Sequence, residues 1–118
     1  MATTKKRRKK TKPAKTSSVY VVELDKEVLK SPKFVKESPD HDPDKACFYV
    51  GMTDLTPEQR FKNHKADHWA NSYVRDHGLY LRKKMFQKFN PMTREEAVKK
   101  EKELVEDLWA KGHAVYQN

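Results

Sequence analysis

The stretch from Asn90 to Gly112 constrains this chain more than any other. Thr93-Arg94-Glu95-Glu96 is a capping box: a threonine with a glutamate three residues on, each side chain able to satisfy a backbone amide at a helix start. Asn90-Pro91 marks a turn before it, and Gly112 supplies a stop. Between them Ala97, Val98, Leu104, Val105, Leu108 and Trp109 recur at the i, i+3, i+4, i+7 spacing of one buried helix face. The spacing predicts a helix running to Lys111. One residue interrupts its apolar stripe. Glu101 stands four positions after Ala97 and four before Val105. A carboxylate facing a core is costly unless it is paired or binds a metal. A lysine at the edge of the stripe would answer the first need and a cation the second; Glu103 and Glu106 can simply point to water.

Upstream, Ser18–Leu24 (SVYVVEL) and Ala46–Gly51 (ACFYVG) are rich in β-branched and aromatic residues and read as strands, with Gly51 ending the second. Between them Asp25–Lys45 is polar and carries Pro32, Pro39 and Pro43; it reads as a helical turn near Lys26–Lys30 followed by a long loop, a length often tied to function. Thr56-Pro57-Glu58-Gln59 opens a helix expected to reach about Ala66, since threonine caps and proline suits the first helical position. A short helix over Asn71–His77 stopped by Gly78, a strand at Leu79–Leu81 and a last strand at Ala114–Tyr116 complete the order β, β, α, α, β, α, β. The fold class is α+β.

Charge is distributed unevenly. Residues 1–17 hold eight lysines and arginines and no acid, while the other 101 residues hold 18 basic and 17 acidic groups. Any nucleic-acid site in the body must therefore come from local arrangement, not bulk charge. The tail has too few apolar side chains to offset its ordering entropy and is expected to be disordered, leaving one domain over 18–118. Its run Lys5, Lys6, Arg7, Arg8, Lys9, Lys10 reads as a phosphate-binding arm, a nuclear localisation signal or a solvated tail. No apolar core of a signal peptide follows it, and no stretch approaches a membrane span. The single cysteine, Cys47, excludes an intramolecular disulfide and suits a reducing cytoplasm.

Arg60 and His64 stand at i, i+4 on one helix face. Together they suit a phosphate, or they belong to a solvated basic helix. Tyr20 and Tyr49 sit in the two strands, where antiparallel pairing could bring both to one face, in a site or simply as cross-strand packing.

Taken in order, these residues resemble the GIY-YIG nuclease family. Ser18-Val19-Tyr20 stands for the first motif, with serine in place of glycine, and Tyr49-Val50-Gly51 for the second. Arg60 and His64 follow on the next helix, and Glu101 on a later one. The surrounding text is similar to a branch of small bacterial members, and the resemblance spans about Ser18 to Asn118. The 28 residues from Val21 to Phe48 exceed the family's usual gap and suggest an insertion beside the active face. Asn118 stands where the family often carries an asparagine near its site.

The resemblance implies a three-stranded antiparallel sheet flanked by helices, with a shallow catalytic surface. It implies hydrolysis of DNA phosphodiesters with one Mg²⁺ or Mn²⁺ held by Glu101, in a bacterial cytoplasm. Arg60 would neutralise charge on the phosphate. Tyr49 would activate water, with Tyr20 and His64 bonding it or relaying its proton; which of the three takes the proton stays open. Lys65 would touch phosphate or point to solvent. RNA stays open as a substrate, because metal and arginine see only phosphate. So does a nucleic-acid-binding module on the same fold that does not cut.

Overall fold

The computed structural model describes residues 14–66 and 72–117. The chain is α+β, as expected, but the sheet has four strands and is mixed. β1 (Ser18–Leu24) and β2 (Cys47–Thr53) are its central pair, antiparallel over seven residues. β3 (Gly78–Leu81) adds antiparallel to the outer side of β1. β4 (Ala114–Gln117) adds parallel to β2, giving the order β3-β1-β2-β4. The three-stranded antiparallel sheet implied by resemblance is thus corrected. A parallel fourth strand is possible because the chain crosses over through a long helix before returning to β2.

Both central strands are buried along almost their whole length, which explains their near-continuous apolar runs. α2 (Pro57–Ala66) and α3 (Ser72–His77) pack on β1 and β3, and α4 (Arg94–Ala110) packs on β1, β2 and β4. The capping box of α4 forms as expected: Thr93 Oγ1 accepts from the Glu96 amide, and Glu96 accepts from the Thr93 amide. Ala97, Leu104, Val105 and Leu108 are buried, whereas Val98 is half exposed. Gly112 closes the helix at φ +92°, a conformation that any Cβ would strain.

Two sequence expectations change. Gly51 does not end β2 but lies inside it, opposite Tyr20. The stretch after the Lys26–Lys30 turn is not a bare loop, since Pro32–Lys36 forms a helix, α1, capped by Ser31. Ser17, which composition groups with the tail, is buried and bridges Met92.

Ser38 ties the insertion to the body. Its hydroxyl accepts from Trp109 Nε1 (2.8 Å) and from the Val115 amide (2.9 Å), and donates to the Val115 carbonyl (3.1 Å). Removing it leaves buried donors without partners, each costing about 1–3 kcal/mol. Ser38→Ala should therefore lower unfolding free energy by about 2–3 kcal/mol, read from the urea midpoint; an unchanged midpoint would show that the insertion does not brace the sheet.

Candidate active site

The sheet register brings the two tyrosines together. Tyr20 pairs with Gly51 and Val22 with Tyr49, so Tyr20 and Tyr49 are diagonal neighbours on one face. Their ring centroids lie 6.1 Å apart. His64, from α2, packs against both, at 5.9 Å from Tyr20 and 5.5 Å from Tyr49. The Tyr20 hydroxyl and His64 Nε2 share a hydrogen bond of 2.8 Å. Gly51 provides the room: a Cβ there would stand 2.7 Å from the Tyr20 hydroxyl oxygen and 2.8 Å from its Cζ. Arg60 lies one turn before His64 and acts electrostatically on both tyrosines and on the imidazole. Glu101, from α4, acts on both tyrosines. Residues from two strands and two helices thus converge on the pair of phenols.

Burial dominates their protonation. It pushes the Tyr20 phenol up, with Arg60 opposing, and pushes Tyr49 well above the ordinary tyrosine range. His64 is brought down to about 4 by burial and then by the Arg60 charge, so its imidazole is neutral at neutral pH. Glu101 is pushed up to about 7 by burial, so small changes nearby decide whether it is ionised.

Among the described residues, two buried side-chain atoms have no hydrogen-bond partner: His64 Nδ1 and Glu101 Oε2. Both belong to residues singled out from sequence, and native structures leave few such atoms unexplained. Among the described residues no lysine pairs with this oxygen.

Exposure divides the cluster. Tyr20, Tyr49 and His64 are 0% exposed, while Arg60 and Glu101 are partly open to solvent. The cluster is therefore a buried Tyr–His–Tyr group with an arginine and a carboxylate at its margin. Lys65 is also placed differently. Its ammonium donates to the carbonyls of Arg75 and Gly78, both at 3.0 Å, and closes the end of α3. Lys5, Lys6, Arg7, Arg8, Lys9, Lys10 and Asn118 lie outside the described residues.

Asn90 is a positioning residue that sequence reasoning takes only for a turn. Its carboxamide accepts from the Val19 amide (2.9 Å) and donates to the Val19 carbonyl (2.8 Å). It replaces a strand partner where β3 no longer reaches β1, one residue from Tyr20. Its only sequence signal is a polar amide before proline.

Glu101 fits a sparse cation site. Among the described residues no group of three or more His, Cys, Asp or Glu could hold a metal ion. A single carboxylate oxygen left without a partner suits a hard cation that keeps several waters and shares a substrate phosphate, as Mg²⁺ does. Among the described residues no helix is long and apolar enough to cross a membrane. No family model, characterised protein or solved structure matches the chain.

Proposed function

We propose that this protein is a metal-dependent DNA endonuclease of the GIY-YIG type, acting on phosphodiester bonds. The observation that carries the reading is the orphaned, buried Glu101 Oε2, on a carboxylate that acts on Tyr20 and Tyr49, the two phenols on which Arg60 acts and against which His64 packs. The order of these residues along the chain is the order that the family resemblance assigns. Mg²⁺ or Mn²⁺ held by Glu101 would supply Lewis-acid stabilisation of charge on the phosphate oxygens.

The chain's own residues do the rest. Arg60 is always cationic and presents a planar fork that matches a phosphate. It neutralises charge as this develops at phosphorus. The neutral His64 holds the Tyr20 hydroxyl through Nε2 and keeps that side of the cluster uncharged. Tyr49 lies against both rings and is the phenol to which a proton from attacking water would pass into the cluster. Its raised pKa keeps it protonated at rest, so it accepts that proton only as it passes its own to the Tyr20 hydroxyl, and Tyr20 its own to the neutral His64 Nε2.

A second reading has its own observation. The complete burial of Tyr20, Tyr49 and His64 suits a nucleic-acid-binding module that keeps the fold's core and does not cut. Incubation with supercoiled plasmid and single-stranded DNA in Mg²⁺, Mn²⁺ or chelator separates the two. Metal-dependent nicking by the wild type, reduced roughly a hundredfold or more in Arg60→Ala, is the expected result. Binding without nicking would transfer the assignment to the second reading.

A further inference from the structure

Away from the cluster, α4 and the segment 83–92 enclose a groove formed of two hollows of about 340 and 240 Å³ that share Phe89. Six lysines line it: Lys15, Lys84, Lys88, Lys99, Lys100 and Lys111. Three acids face them, and two of those are engaged. Glu96 closes the capping box, and Glu103 holds Lys100 at 2.8 Å; the third is Asp107. Five of the six belong to the body, which as a whole is nearly neutral, so this is local enrichment.

The ring of Phe89 organises it. Lys100 Nζ lies 4.3 Å and Lys88 Nζ 5.3 Å from the ring centroid. Cation–π attraction holds two ammoniums that would otherwise sample many rotamers, so less entropy is lost when an anion binds. Lys15, the last cation of the basic N-terminal stretch in sequence, also lines the groove.

We propose that this groove binds the phosphate backbone of DNA, independently of base sequence, as a second contact beside the candidate active site. The proposal rests on the nuclease reading only for the choice of DNA. Spaced lysines around an apolar floor, with no base-reading amide or arginine fork among them, give positioning without specificity.

Duplex binding by the full chain is measured in chelator across a salt series, so that no cleavage intervenes. Lys88→Gln/Lys99→Gln/Lys100→Gln is compared with a charge-matched control, Lys30→Gln/Lys33→Gln/Lys36→Gln, placed on the insertion. The groove variant should lose roughly tenfold to a hundredfold in affinity and flatten the log K against log salt slope by roughly 2 to 3. The control should stay near wild type. Equal losses in both would reduce the effect to bulk charge and overturn the proposal, as would no loss in either. Phe89→Leu, which keeps the apolar floor and all the charges, should weaken binding less than the triple variant but measurably; full wild-type affinity would remove the ring from the argument. Wild-type nicking with no effect of the groove variant on binding would leave the nuclease reading standing and overturn this one alone. Groove-dependent binding with no nicking would do the reverse.

Discussion

The Glu101→Gln protein is expected to lose metal-dependent cleavage and, at the same time, to gain thermal stability above pH 7. Burial raises the folded-state pKa of Glu101 to about 7 from an ordinary value of 4.5. Below about pH 4.5 the group is protonated in both the folded and unfolded states and contributes nothing. Between 4.5 and 7 the unfolded chain ionises first, so folding is penalised increasingly as pH rises. Above 7 both states are ionised and the folded state bears the whole cost of a half-buried carboxylate with an unpartnered oxygen. Glutamine removes that cost, although its amide is not fully satisfied either.

The gain, discounted for partial solvent screening, is on the order of 1–2 kcal/mol at pH 8, or roughly 5–10 °C in Tm for a domain of this size. It should fade towards zero at pH 4. Mg²⁺ should stabilise the wild type by mass action and leave Glu101→Gln unaffected. A variant with wild-type stability at every pH would mean that Glu101 is solvated in solution, and a variant that still nicks DNA would remove it from the mechanism.

Gly51→Ala is expected to be strongly damaging for so small a change in the central strand pair. Alanine normally gains over glycine in a strand, by roughly 0.5–1 kcal/mol. Here its methyl carbon would meet the end of a ring that is 0% exposed and held by His64 and Tyr49, so the ring cannot swing into solvent. Overpacking of this kind costs roughly 1–3 kcal/mol. The net loss should appear as a lower urea midpoint, and nicking should fall with it because the Tyr20–His64 bond is broken. Tyr20→Leu empties the contested space, so the double variant should be less destabilised than the sum of the two singles. Additive losses would show that Gly51 matters for its backbone and not for the room it leaves.

These two residues also mark how far the sequence could be read. Local chemistry was legible where it acts within a few residues. Pro57–Ala66 and the Thr93–Glu96 box occur where their capping residues place them, and the Lys26–Lys30 turn where it is expected. The nearness of Tyr20 to Tyr49 followed from strand alternation, and that of Arg60 to His64 from helical spacing. What could not be read depends on distant partners. α1 is held in a segment whose anchor, Ser38, bonds to Trp109 and Val115 some seventy positions away. Gly51 looks like a strand terminus until its cross-strand neighbour is known to be a tyrosine ring. The parallel setting of β4 is decided by the crossover through α4. The burial of Tyr20, Tyr49 and His64 is likewise a property of three packed elements, and no one of them reveals it.

The sheet order carries a kinetic consequence. Adjacent strands are nowhere joined by a tight turn. β1 and β2 are separated by residues 25–46, β3 reaches β1 from beyond two helices, and β4 reaches β2 from the far end of the chain. No hairpin can form early and template the rest, because each pairing must first offset the entropy of closing a long loop. α4, the longest helix described and closed by its own capping box, has the strongest local encouragement to form. The strands should therefore come together late and nearly at once, in milliseconds to seconds. Such a chain exposes its most apolar segments, β1 and β2, for the whole of that interval.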